Sequence, residues 1–289
     1  LYSTPFYSRI MASFDRVIAI SKTVENYINE NYERYLKKPP RLIYRGSDEE
    51  YFSNSFVPSE SYKDNFFQQF TNLKNKKIIT FPGRLSSWKG QESFIKLMSD
   101  LPDDYSGLIV GPYASAKPKY LNSLKKLIED YRLQNKVYFY NAKDDIREIY
   151  YLSEVVLNLS SKPEPFGRTI LEAAMMGKKI AGWDRGGPGE VLEMCFPQGK
   201  VEFNKFNSLV ETVKNLSERE DVPSNIFLTS ELMHSKTIGF YLDAIDKNSW
   251  YFSFTFLVCM ESRFLLPTSL KHFFCNKLSS LILPAHFFN

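Results

Sequence analysis

The chain has 289 residues, 43% of them hydrophobic and 24% charged, with a formal net charge of +4. That is enough for one large or two ordinary domains with real cores. Lys and Arg are interspersed with Asp and Glu rather than striped, which argues against nucleic acid as a partner while leaving room for an anionic small ligand.

The chain begins at Leu1, and "LYSTPFYSRIMASFDRVIAIS" enters a helix-like segment and then a strand without preamble, so the native start is expected upstream. Short apolar runs rich in β-branched residues follow: "RVIAI" (16–20), "RLIY" (41–44), "KIITF" (77–81), "GLIVG" (107–111), "KVYFY" (136–140), "VVLNL" (155–159) and "KIAGW" (179–183). Longer helix-like segments separate them, the pattern of β-α units and a parallel sheet. In "PKYLNSLKKLIEDYRL" (118–133), Leu121, Leu124, Leu127, Ile128 and Tyr131 recur at helical spacing and predict an amphipathic helix covering that sheet. "RTILEAAMMG" predicts another helix, capped by Gly177, and "FLTSELMHSKTIGFYLDAIDK" a terminal one.

Residues 247–289 differ in kind, being dense in aromatics without a steady period, and their apolar runs are shorter than the roughly 20 residues a membrane span needs. A non-native extension such as read-through, an interfacial membrane segment and a small packed appendage all fit. Cys195, Cys259 and Cys275 are odd in number, far apart and without metal-ligand spacing. They argue against a disulfide framework and for a reducing, cytoplasmic compartment, with peripheral association at the inner face of the cytoplasmic membrane as a further expectation.

Three strand-to-helix loops carry the chemistry. In "KPEPFGRTILEAAMMGK" (162–178), Pro165 disfavours helical geometry at Glu164, which places that carboxylate in the loop and Glu172 inside the helix. On one continuous helix the two acids would stand about 12 Å apart, beyond the gap of a glycosidase pair. A loop-to-helix turn instead lets them flank one ligand. Gly167 would allow close backbone approach at a helix start whose free N–H groups favour phosphate, with Arg168 adding charge and Thr169 a hydroxyl. "FPGRLSSWKGQESFIKLM" (81–98) places Gly83, Arg84, Lys89 and Gly90 after another strand, two cations suited to a diphosphate. In "WDRGGPGEVLE" (183–193), Gly186, Gly187 and Gly189 predict a tight turn before a helix resumes at Glu190, and "LIVGPY" (108–113) adds Gly111. Taken singly, these also fit a routine helix start, a solvated basic turn and a structural turn. Taken together they share the carboxyl edge of a parallel sheet, where ligands of open α/β folds bind.

"RVIAISKTVENYI…LIYRGSDEEYF", "GRLSSWKG", "PEPFGRTILEAAMMGK" and "GGPGE", in that order, resemble glycosyltransferase family 4, the glycosyl transferases group 1, over roughly residues 10 to 246. The resemblance implies the GT-B fold, two facing Rossmann-like domains, and transfer of a sugar from a nucleotide-diphosphate donor (UDP-, GDP- or ADP-linked) with retention of configuration. It implies that Arg84 and Lys89 hold the diphosphate, that Glu164 lies near the donor sugar, that Glu172 binds the ribose, and that backbone around Phe166, Gly167 and Arg168 meets sugar or phosphate. Arg84, Lys89 and Glu164 are thus the expected catalytic residues, and the loop residues Gly83, Gly111 and Thr169 are expected to complete the donor site. No cofactor is implied. Metal independence has separate support, because no Asp-x-Asp occurs and His234, His272 and His286 form no ligand set.

On that resemblance the fold class is α/β, a Rossmann-like parallel sheet flanked by helices, the C-terminal half of a GT-B enzyme. Residues 1–40 read as a remnant of the N-terminal, acceptor domain, 41–246 as the donor domain with its terminal helix, and 247–289 as a tail matching nothing in the family. The implied acceptor is a glycan or lipid-linked molecule of bacterial lipopolysaccharide or exopolysaccharide synthesis, and a chain holding only the donor half is expected to be inactive alone. Two alternatives stand: a sugar-nucleotide epimerase or phosphorylase of the same architecture, and a non-catalytic nucleotide-binding fragment.

Overall fold

All seven apolar runs contain strand, because β-branched and aromatic side chains fit a pleated surface. The computed structural model describes residues 5–112, 117–141, 145–224 and 226–244. Its contacts divide the chain into Leu1–Ile238 and Gly239–Asn289. The readings of the 247–289 tail, including Cys259 and Cys275, lie outside the described residues.

Helix α1 (Pro5–Ala12) precedes strand β1 (Ile18–Ala19), helix α2 (Lys22–Tyr32) and strand β2 (Arg41–Leu42). β1 and β2 pair in parallel as a separate two-stranded sheet, so the runs at 16–20 and 41–44 are shorter strands than foreseen. After helix α3 (Glu60–Gln69) the chain alternates strictly. β3 (Lys77–Pro82), α4 (Gln91–Asp100), β4 (Tyr105–Val110), α5 (Pro118–Asp130), β5 (Val137–Tyr140), α6 (Ile146–Leu152), β6 (Val155–Asn158), α7 (Arg168–Met175), β7 (Lys179–Trp183), α8 (Gly186–Cys195), β8 (Lys200–Val201) and α9 (Phe206–Glu218) follow, and α10 (Ser230–Ala244) closes the described chain. β3 to β8 form one parallel sheet of six strands in the order β5-β4-β3-β6-β7-β8.

Strand side chains alternate between two helical layers, as a period of two requires. Ile79, Phe81 and Ile109 pack with Phe94 and Ile95 of α4 and Leu124 of α5. Ile78, Leu108 and Val110 pack on the other side with Phe66 of α3 and Ile149 of α6. Each fully buried side chain of this size stabilises by about 1.5–3 kcal/mol relative to an exposed one. Thr80 breaks the apolar pattern. Its buried hydroxyl lies 2.6 Å from Ser153 Oγ, which in turn donates to Ile149 O, so the polar pair is satisfied.

Helix α5 stops earlier than its spacing suggested. Leu124 and Ile128 are buried, but Tyr131 is 42% exposed and caps the helix, and Arg132 turns into left-handed geometry at φ 58°. Gly177, by contrast, ends α7 as expected, at φ 67° with its N–H on Ala174 O.

The order β4-β3-β6-β7 creates a switch point. Running outward from β3 the chain adds β4 and β5, then returns to add β6, β7 and β8 on the other side of β3. The loops after β3 and β6 therefore diverge from neighbouring strands at their carboxyl ends and leave a crevice between them.

Candidate active site

The loop after β3 carries Gly83, Arg84 and Lys89, and the loop after β6 carries Glu164, Phe166 and Gly167. They are tied together directly. Ser161 donates from its N–H to Trp88 O at 2.8 Å and from its hydroxyl to the same oxygen at 3.1 Å. Lys89 is thereby aimed at Glu164, with Nζ 2.8 Å from Oε2, and its ammonium also sits 4.7 Å from the Trp88 ring centroid. Asn158 Nδ2 donates to Glu164 Oε1 at 3.0 Å, and the Ser160 hydroxyl donates to the same oxygen. With lysine and glutamate side chains only 18% and 12% exposed, the pair is a preorganised charge couple rather than a surface ion pair.

Arg84 is exposed and lines an open cleft of about 500 Å³ together with Ser87, Trp88, Pro112, Lys117 and Tyr120. Its main chain is held by Gln91, whose Nε2 donates to Arg84 O at 3.0 Å while Tyr120 OH donates to Gln91 Oε1 at 3.1 Å. A larger hollow of about 810 Å³ lies at the opposite, amino-terminal sheet edge near Lys76, Ser106 and Lys136. It contains none of the predicted site residues, and the smaller cleft at the carboxyl edge is the one that chemistry and topology agree on.

Glu172 lies inside α7 and is buried. Arg168 Nε donates to its Oε1 at 2.6 Å, and Tyr150 OH donates to Oε2 at 3.4 Å. Burial raises the Glu172 pKa above its usual value near 4.5, although Arg168, Tyr150 and Arg45 all pull it down. The folded state thus holds the proton more tightly than the unfolded chain. Stability tied to this group is complete below the unfolded pKa and is lost as pH climbs through the raised folded value. Glu172→Gln is expected to flatten that decline. Urea denaturation across a pH series would measure it, and unchanged slopes would count against a raised pKa.

The remaining site residues are placed less uniformly. Gly83 adopts φ 151° with no atom within 4 Å of where a Cβ would stand, so its backbone is open to a ligand. Gly111 ends β4 beside it, where a Cβ would lie 2.2 Å from Gly83 O. Thr169 is half-buried in the first turn of α7. Phe166 is 7% exposed and belongs to the core, leaving only its main chain for contact. Gly167 was expected to admit a ligand, yet the space of its missing Cβ is taken by Pro188, whose Cα would be 2.7 Å away. Packing of α7 against α8 is what demands this glycine.

The "GGPGE" stretch is not a turn followed by a helix. Helix α8 already begins at Gly186, so the three glycines form its first turn and Glu190 sits in its second. Gly186 and Gly187 are small because the Glu164 loop crosses them, and Gly189 because it packs on Asp184: a Cβ on Gly187 would meet Phe166 Cα at 2.3 Å, and Gly187 N–H donates to Glu164 O at 2.8 Å. Asn158 and Ser160, which hold Glu164, were not singled out from sequence. Polar residues ending an otherwise apolar buried strand were the available signal. Among the described residues no group of three His, Cys, Asp or Glu side chains stands close enough to hold a metal ion, and no helix is long and apolar enough to cross a membrane. Cys195 is buried, which pushes its thiol pKa to about 11 and leaves it a poor nucleophile.

A doubly wound parallel sheet with cations, glycines and two acids gathered at its switch point defines a Rossmann-like ligand-binding domain. The sequence profile of the glycosyl transferases group 1 family matches residues 62–227, more than half of the chain, and the chain belongs to that family. A glycosyltransferase of Methanocaldococcus jannaschii is 35% identical over 188 residues, spanning 63% of this chain and 44% of that relative. The crystal structure of a glycosyltransferase from Rickettsia africae superposes with a TM-score of 0.69 at 25% identity, over 86% of this chain and 69% of that one. Anabaena HepE in complex with UDP and glucose has the same fold, with a TM-score of 0.66 at 21% identity over 84% of this chain and 68% of its own. This chain spans less than half the length of the curated relatives it matches.

Proposed function

We propose that this chain supplies the donor half-site of a retaining glycosyltransferase that takes its sugar from a nucleotide diphosphate. The observation that carries this reading is the Lys89–Glu164 couple at the switch point, its lysine on the same loop after β3 as Arg84, which lines the cleft. Breaking the bond between a sugar and a diphosphate develops negative charge on the departing phosphate. Preorganised cations stabilise that charge more in the transition state than in the ground state, which is how they accelerate the step. In this reading Arg84 forks onto phosphate oxygens and Lys89 provides a compact point charge. Glu164, held by Asn158 and Ser160, stands on the sugar side, and Glu172 grips the ribose.

The acceptor half belongs, in this proposal, to a segment outside these residues, so the chain alone binds donor without transferring it. Two observations support this. The chain spans 44% of its Methanocaldococcus relative, and α1 leaves Phe6, Tyr7, Ile10 and Met11 between 42% and 68% exposed, an apolar patch that no other described residue covers. The acceptor we propose is a bacterial envelope glycan or a lipid-linked one, on the resemblance of the "SKPEPFGRTILEAAMMGKKIAGWDRGGPGEVL" stretch alone.

Calorimetric titration of the chain with UDP, GDP and ADP tests the half-site. One of them is expected to bind, and Arg84→Ala to weaken it by about 10- to 100-fold, the worth of a charge-assisted hydrogen bond. Failure of all three to bind, or equal binding by the variant, would refute the donor role. An epimerase of the same architecture would instead interconvert a sugar nucleotide supplied alone.

A further inference from the structure

Glu190 receives four hydrogen bonds, all from the segment that precedes β3. Lys22 and Thr23 donate from their main-chain N–H groups at 2.9 and 2.7 Å, the Thr23 hydroxyl at 2.5 Å, and Tyr44 OH at 3.0 Å. The carboxylate thus occupies the amino end of α2, where free N–H groups and the helix dipole both favour a negative charge. One residue earlier stands Ser21, 0% exposed, whose hydroxyl accepts from Val24 N at 3.1 Å and donates to Pro165 O at 2.6 Å. Pro165 lies between Glu164 and Phe166. On its other flank the same loop is held by Gly187 N–H on Glu164 O.

From this arrangement we infer that Ser21 and Glu190 are positioning residues for donor-sugar recognition: Glu190 seats the start of α2, and Ser21 uses that seat to fix the loop that carries Glu164. The inference rests on the donor-site reading above. Neither residue reaches the cleft that Arg84 lines, so neither contributes to holding the nucleotide itself. Their effect is confined to one side of the ligand. Proline cannot donate a main-chain hydrogen bond, so Pro165 is anchored through its carbonyl, which Ser21 takes, while Gly187 takes the carbonyl of Glu164 before it. Losing either frees the Glu164 carboxylate to move relative to Lys89, a displacement of the kind that weakens a site without unfolding it. Because Ser21 comes from the segment before β3, a shift of that segment would be felt at the sugar side of the site.

The test compares UDP with UDP-glucose as probes, by calorimetry, on the unaltered chain, on Ser21→Ala and on the isosteric Glu190→Gln. Both variants are expected to bind UDP within about twofold of the unaltered chain and to lose about 3- to 10-fold of the advantage of UDP-glucose over UDP, the size of one or two hydrogen bonds. Amide hydrogen exchange supplies a readout that needs no ligand, with protection of the Gly187 N–H expected to fall in both variants. An unchanged UDP-glucose advantage in both variants, with nucleotide binding intact, overturns the positioning role alone. Absence of binding of UDP, GDP and ADP alike by the unaltered chain overturns the donor-site reading and this role with it. A parallel loss for UDP and UDP-glucose would show a general structural function and would also overturn the role.

Discussion

Lys89→Ala is expected to lower sugar transfer by about 10²- to 10³-fold in an enzyme that contains these residues together with its acceptor half, the scale seen when one preorganised electrostatic donor is deleted. Two effects combine. The departing diphosphate loses a cation, and Glu164, 12% exposed at its side chain, loses its 2.8 Å partner and keeps Asn158 and Ser160, neutral donors both. Removing one member of a buried pair is costlier than the pair's own net contribution, because the remaining charge is left uncompensated. Lys89→Arg keeps the charge but not the compact shape, and is expected to recover part of the rate. Steady-state kinetics would decide the matter: a Lys89→Ala enzyme with an unaltered rate constant would remove Lys89 from the chemistry.

Gly187→Ala is expected to destabilise the fold by about 3 kcal/mol or more. The added Cβ would stand 2.3 Å from Phe166 Cα and 2.6 Å from Phe166 N. Both are backbone atoms of the Glu164 loop and cannot swing aside as a side-chain tip can. Helix α8 and the loop must part, and the Gly187–Glu164 hydrogen bond goes with them. Gly239→Ala is the internal control. Nothing stands within 4 Å of that Cβ, so the change is expected to stabilise helix α10 by about 0.5–1 kcal/mol. Denaturant midpoints of the two variants should move in opposite directions, and a Gly187→Ala chain as stable as the original would mean that the loop and α8 are not in contact in solution.

Much of the scaffold was legible because it is written in short-range periodicity. Seven β-branched runs separated by helical spacings imply parallel strands, and each run contains one. Helices α3 and α9 and strand β8 were less visible. β8 has only two residues, and α3 is "ESYKDNFFQQ", whose apolar face is limited to Tyr62, Phe66 and Phe67 around a polar majority. The run "GGPGE" was misread for a different reason. Glycine and proline are local turn signals, but here they sit in a helical first turn, where a crossing loop leaves no room for side chains at Gly186 and Gly187. That requirement comes from residues some twenty positions away and has no local signature.

The sequence by itself determined the fold class, the family and the residue types gathered at the carboxyl edge of the sheet, since these follow from periodicity and from the order of three motifs along the chain. Only the tertiary structure decided which groups meet. Strand order around β3 and β6 brings Lys89 to Glu164 across a gap of 75 residues and makes them a buried pair. It assigns Gly167 to helix packing and withdraws the Phe166 side chain into the core. It also places Ser21 and Glu190, 169 positions apart, on either side of one helix terminus beside the Glu164 loop. Such pairings depend on crossover connections and on the direction each loop takes on leaving its strand, and neither is encoded within any window short enough to be read as a motif.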